Sequence, residues 1–181
     1  DCWDYRTYGA IEASPTVSGD RIYVGSRDTK VHCFSDAGEE AYLHWSTPTG
    51  KPVVSSPVVS GNSVFAVLTD DRYSVPVNEV ICLDSADGKE KWRMDGYDHI
   101  LFSGRDSVVL VNSAGTLMNC SSNDGRERWS LDTSACDSVQ AIGQSMVFVY
   151  GEGLGQKLLR LRLILNAYEK FYAAFRHYDE I

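Results

Sequence analysis

The sequence predicts an all-β chain: a partial β-propeller of about four blades, each a four-stranded antiparallel sheet. Three observations carry this. Trp3, Trp45, Trp92 and Trp129 recur at steps of 42, 47 and 37 residues. Gly19, Gly61, Gly104 and Gly143 run in phase with them, at steps of 42, 43 and 39. Short β-branched and aromatic runs, bounded by turn residues, fill the intervals. Two markers sharing a period of about 40 residues indicate a repeat, and about four short strands per period indicate a propeller blade.

The first unit follows Trp3 with Ile11-Glu-Ala-Ser-Pro15, and the second follows Trp45 with Val54-Ser-Ser-Pro57. After each Pro comes a short apolar run and a turn, Thr16-Val-Ser-Gly-Asp20 and Val58-Val-Ser-Gly-Asn62. Strands are expected next, over Arg21-Ile-Tyr-Val-Gly25 and Ser63-Val-Phe-Ala-Val67, then over Lys30–Phe34 and Glu79–Leu83. Asp87-Gly88 suits a turn needing positive φ and leads into Lys89-Glu-Lys-Trp92. The third unit loses its Ser-Pro but keeps Ser107–Val111 and the closure Asp124-Gly125-Arg-Glu-Arg-Trp129. The fourth keeps Ala141-Ile-Gly143 and the strand Ser145–Tyr150. Beyond the loop Gly151–Gly155, the alternation Leu161/Leu163 against Arg160/Arg162 predicts a third strand. From Ile164 the pattern changes. Ile164, Tyr168, Phe171, Phe175 and Tyr178 share one helical face, so the tail 165–181 is expected to be a short helix. The propeller repeats occupy residues 1–164, with the first and last blades incomplete.

Each Trp is expected to end the last strand of its unit. There the indole packs over the neighbouring blade while its N–H reaches a backbone acceptor. The competing role is a stacking platform for a ring-shaped ligand. Four copies at one repeat position favour packing, since a binding site is usually singular. Cys33 and Cys82 sit in matching contexts, Val-His-Cys-Phe and Val-Ile-Cys-Leu, and read as one small apolar core position rather than a disulfide. His32 alternates with Cys33, so one of the two must face away from the core.

The chain has 181 residues, enough for one domain with a sizeable core. Its net charge of −8 argues against a general nucleic-acid binder, which needs a basic face. No apolar run approaches the roughly 20 residues needed to span a bilayer. The five cysteines, Cys2, Cys33, Cys82, Cys120 and Cys136, show no CxxC spacing, which disfavours zinc-ribbon and thioredoxin-like chemistry. No catalytic constellation emerges. There is no Gly-x-Ser-x-Gly elbow, no His pair at i, i+4 among His32, His44, His99 and His177, and no phosphate-loop ending after Gly151-Glu-Gly-Leu-Gly155. Asp70-Asp71-Arg72 lacks the alternating oxygen ligands of a calcium loop and reads as a solvated loop. Asn119-Cys-Ser121 matches the glycosylation sequon but lies at a strand end.

The pattern Ser-Pro, Val-x-Gly, Val-Tyr-Val-Gly and Leu-Asp-x-x-Asp-Gly-x-x-x-Trp resembles the PQQ-like, quinoprotein-type β-propeller repeat. Its clearest copy is Ile81-Cys-Leu-Asp-Ser-Ala-Asp-Gly-Lys-Glu-Lys-Trp92. The resemblance implies six to eight blades in a full ring. A chain of about four, opening on a closing Trp, is then expected to be part of a larger propeller or an arc completed by another chain. Exposed blade edges invite such pairing. The family includes quinoprotein dehydrogenases, which combine PQQ with calcium, an acidic base and often adjacent cysteines. No adjacent cysteines occur here, so no residue is assigned to PQQ or calcium. The reading is a non-catalytic binding or scaffolding propeller with a protein partner or self-association; the alternative is a fragment of a PQQ-dependent oxidoreductase. Family analogy leans towards an exported protein.

Overall fold

The computed structural model describes residues 3–104, 106–134, 138–142, 145–152 and 155–162. The first sheet contains β1 (Thr16–Ser18), β2 (Arg21–Ser26), β3 (Lys30–Asp36) and β4 (Ala41–Pro48). The second contains β5 (Val58–Ser60), β6 (Ser63–Asp70), β7 (Val77–Asp84) and β8 (Glu90–Asp95). The third contains β9 (His99–Gly104), β10 (Ser107–Val111), β11 (Thr116–Ser121) and β12 (Glu127–Asp132). The fourth contains β13 (Ser138–Ile142), β14 (Ser145–Glu152) and β15 (Gly155–Arg162). Each is an antiparallel meander in sequence order. The first strands lie side by side, β1 by β5, β5 by β9 and β9 by β13. The four sheets therefore fan as blades of a partial β-propeller. The expected helix at 165–181 and Gly143 lie outside the described residues.

The apolar runs are nearly continuous because each interior blade buries both faces. Side chains alternate across a strand. Val64, Ala66, Leu68, Ile81 and Leu83 pack towards the first blade, against Tyr23, Val31, Cys33 and Trp45. Their neighbours Phe65, Val67, Val80 and Cys82 pack the other way, against Val108, Leu110, Met118 and Cys120. Phe65, Leu68, Ile81, Leu83 and Leu110 are fully buried. Each such side chain contributes about 1.5–3 kcal/mol of burial free energy.

Strand pairing corrects one expectation. The Trp residues do not end their strands: Trp45, Trp92 and Trp129 each lie inside the fourth strand of their blade, which continues to Pro48, Asp95 and Asp132. Their cross-strand partners are Cys33, Cys82 and Asn119, and beside each partner the register shifts by a bulge. An extra residue at that point increases the local twist and re-aims the strand. The bulge recurs with the Trp, so the two form one repeated device.

The glycine marker is less uniform. Gly19 and Gly61 stand in two-residue turns, closed by the pairs Ser18–Arg21 and Ser60–Ser63. Gly104 instead pairs with Ser107, at the position of Ser18 and Ser60, one residue before the turn. Cys33, Cys82 and Cys120 are free and buried. Burial pushes the thiols of Cys82 and Cys120 up to about 12, so they act as small apolar groups. Cys2 and Cys136 lie outside the described residues.

Candidate functional site: blade joints and loop rims

The joint between the first and second blades and that between the second and third are each closed by a forward-reaching indole. The Trp45 N–H donates to the Ser85 carbonyl of the second blade at 3.2 Å. The Trp92 N–H donates to the Ser122 carbonyl of the third at 3.1 Å. Ser85 and Ser122 occupy the same place in the turn joining the third and fourth strands. These turns are also built alike. Gly88 N donates to Asp84 O and Gly125 N to Ser121 O. Both glycines have positive φ, +73° and +69°. A Cβ on Gly88 would lie 2.6 Å from the Trp45 ring, and one on Gly125 3.0 Å from the Trp92 ring. The glycine therefore serves the turn and makes room for the indole of the preceding blade. Trp3 repeats the gesture in a looser form, donating to the Asp36 carboxylate at 3.1 Å and tilting against Phe34. Trp129 is half-buried on β12, opposite Asn119.

Cys33 joins the core between the first two blades, which sends His32 to the opposite face. That face is nonetheless closed, because the N-terminal segment crosses it. Tyr5 sets its ring edge-on to His32 and Phe34, and Phe34 stacks on His32. Beneath them His32 Nε2 meets the Asp28 carboxylate at 3.2 Å, and His32 Nδ1 meets the Ser46 hydroxyl at 3.1 Å. The serine, histidine and aspartate types of a hydrolase triad are thus contiguous, but inverted. In the hydrolase arrangement the carboxylate takes Nδ1–H and the serine faces Nε2. Here the network ties the β2–β3 turn to β4. Sequence reading missed Asp28 and Ser46, although Ser46 follows from pairing Cys33 with Trp45, which places it opposite His32.

Burial lowers the proton affinity of His32, against the opposing pull of Asp28. The native state therefore favours the neutral ring, while the unfolded chain protonates at the ordinary histidine value of 6.5. This contribution to stability is full above 6.5 and falls as pH drops below it, until the folded value is reached. The urea midpoint is expected to fall between pH 7 and pH 5, and His32→Gln is expected to flatten that slope.

The antiparallel meander puts alternate turns at opposite rims. The β2–β3 turn and the β6–β7 loop share one rim. Asp70 and Asp71, candidates for a solvated loop, are tied to arginines there. Arg72 forks onto the Asp70 carboxylate at 2.8 and 2.7 Å and holds it down to about 2. Asp71 pairs with Arg27, which also holds Glu12 at 3.0 Å. Past this anchor the loop exposes Tyr73 and Val75, β7 opens on an exposed Val77, and the segment bearing Glu12 exposes Tyr8 and Ile11.

The family model described as outer membrane protein assembly factor BamB matches residues 2–95 and 71–159. The chain belongs to this PQQ-like repeat family. Among solved structures, BamB from Moraxella catarrhalis matches with TM-score 0.64 at 14% identity, covering 81% of this chain and 45% of BamB. The PQQ-like chain thus spans less than half the length of that relative. The computationally designed Ika4 protein matches with TM-score 0.59 at 16% identity, over 87% of this chain and 94% of Ika4. A quinohemoprotein alcohol dehydrogenase from Pseudomonas putida HK5 matches with TM-score 0.51 at 13% identity, over 82% of this chain and 30% of the enzyme. At these identities the likeness is one of fold. No curated protein matches the chain.

The family raises PQQ and calcium, and the described residues do not fit them. Among these residues no three of His, Cys, Asp and Glu converge on a point. The three described cysteines sit one to a blade, and the acids Asp70 and Asp71 are committed to guanidinium groups. Among the described residues no helix is long and apolar enough to cross a membrane.

Proposed function

We propose that this chain is a non-catalytic binding segment of a β-propeller, and that it recognises a protein partner through the rim carrying the β6–β7 loop. The supporting observation is that Tyr73, Val75 and Val77 are exposed on a stretch that Arg27 ties, through Asp71 and Glu12, to the segment exposing Tyr8 and Ile11. Apolar side chains held outward on a braced loop suit contact with an extended peptide segment. The family description, an assembly factor, agrees with a protein-binding role. Residues 1–164 supply about four repeats in this reading. The rest of the ring comes from further blades or from a second copy of the chain, consistent with the 45% coverage of BamB.

The test is selection of peptides from a displayed library on the chain, followed by affinity measurement on two variants. Tyr73→Asp with Val75→Asp is expected to weaken the selected peptides by at least about tenfold, without lowering Tm. Arg126→Ala, on the opposite rim, is expected to leave binding unchanged. Equal binding by the double variant, or loss only in Arg126→Ala, would refute this assignment.

A further inference from the structure

The outermost strands of the first three blades are not alike. β8 carries Glu90, Lys91, Arg93 and Asp95, and β12 carries Glu127, Arg128 and Asp132. Such charges blunt an edge strand against pairing with another chain. β4, Ala41-Tyr-Leu-His-Trp-Ser-Thr-Pro48, has no Asp, Glu, Lys or Arg. It is also longer, at 8 residues against 6 and 6, and it exposes Tyr42 and Leu43. His44 braces Tyr42: the two rings meet edge-on at 4.8 Å, while His44 Nε2 meets the Ser35 hydroxyl at 3.0 Å.

Two backbone bonds fix which way this edge faces. Thr49 N donates to Thr29 O at 2.8 Å, and Ala37 N donates to Glu40 O at 3.0 Å. Antiparallel partners alternate between exchanging both hydrogen bonds and exchanging none. Carried along the β3–β4 register, this turns Tyr42, Trp45 and Thr47 towards β3 and leaves the N–H and C=O groups of Ala41, Leu43 and Ser46 pointing away from it. Pro48 belongs to the outward set, where a missing N–H costs β3 no bond. Among the described residues β4 pairs with β3 alone, and no other backbone group meets its free edge. The two ends of the edge differ in charge. The turn leading into β4 exposes Glu39 and Glu40, and at the far end Lys30 stands opposite Pro48. Among the described residues no ion pair engages any of these three.

We propose that β4 is the contact of a two-fold dimer, in which it pairs antiparallel with β4 of a second copy of this chain. The two-fold axis sets Leu43 against the partner's Ser46, and these exchange N–H···O bonds in both directions. Ala41 donates to the carbonyl of the partner's Pro48. Paired residues share a face, so Tyr42 stands beside the partner's Thr47, an aromatic and β-branched pair that favours a sheet. Glu39 and Glu40 come to the end that carries the partner's Lys30, and the symmetry repeats the match at the other end. A foreign strand would need a cation at one end and an anion at the other, in the same antiparallel sense. This chain's own edge supplies both. The contact uses neither Tyr73 and Val75 of the peptide-binding rim nor the open ends of the arc, so either assignment can fail alone.

The test is sedimentation equilibrium of the full chain in reducing buffer at low salt. A monomer–dimer equilibrium with Kd of about 1–100 μM is expected, the scale of a small edge contact. Leu43→Pro removes an outward donor that β3 does not use, and is expected to weaken the dimer at least about tenfold with Tm unchanged. Glu39→Lys with Glu40→Lys, and separately Lys30→Glu, each set like charges together at both ends and are expected to weaken it by about tenfold. An equimolar mixture of these two charge variants restores opposite charges at both ends and is expected to dimerise as the unaltered chain does. If Leu43→Pro lowers Tm, the mixture decides. An unaltered chain that stays monomeric at about 200 μM leaves the edge to a foreign strand and overturns the proposal. So does a dimer unchanged by the charge variants, which would be a ring-completing contact, or a mixture no tighter than its components.

Discussion

Trp92→Ala is expected to destabilise the chain by about 3–5 kcal/mol, the cost of deleting a buried indole. The ring is 8% exposed, sits 5.9 Å from Phe65 centre to centre, and lies in the core shared by the second and third blades. Its loss leaves a cavity whose walls belong to two blades, neither of which can collapse without the other. Trp92→Phe keeps most of the apolar area but drops the bond to Ser122, and is expected to cost about 1–2 kcal/mol more than a neutral change. Trp3→Ala is the internal control. Its N–H reaches an exposed carboxylate, and its loss is expected to cost about 1 kcal/mol or less. Urea unfolding of the three variants checks this. Equal costs at Trp3 and Trp92 would show that the indoles do not hold the blades together.

Gly88→Ala is the second large effect, expected at about 2–5 kcal/mol. Two terms add. A side chain at φ +73° costs about 1–2 kcal/mol, and the new Cβ meets the Trp45 ring and the Thr47 hydroxyl, an overpacking of about 1–3 kcal/mol. Gly96→Ala separates them, since Gly96 has φ +81° with open space around its Cβ position. It is expected to show the backbone cost alone. A Gly88→Ala, Trp45→Ala double-mutant cycle should recover the steric term as a favourable coupling, because the ring that clashes is gone. No coupling would mean that the turn, rather than the indole, requires glycine.

The period of the propeller was legible because packing devices recur. Trp closes each of the first three units, the Asp-Gly turn recurs in the second and third, and the apolar strand returns in every unit, since each joint between blades poses the same steric problem. The position of Trp within its strand was not legible. Its strand runs on for three further residues, and the bulge opposite it depends on pairing between strands that only the assembled sheet defines. Gly104 shows the same limit: by sequence it matches Gly19 and Gly61, yet pairing sets it one place earlier. Alternation put His32 and Cys33 on opposite faces, one of them away from the core, without saying which; Cys33 joins the core between the blades and His32 lies on the other face, where it too is buried. Its burial was not foreseeable, because the cover comes from Tyr5, a segment with no regular pattern.

The forward reach of Trp45 and Trp92 has a consequence for biosynthesis. Each indole waits for an acceptor 40 or 30 residues downstream. At translation rates of roughly 5–20 residues per second, a nascent blade leaves the ribosome several seconds before its own keystone finds its seat. During that interval its fourth strand carries a large bare aromatic surface. The emerging polypeptide is therefore most vulnerable to misassociation at the moments between successive units, and factors that shield nascent chains would have their greatest effect there.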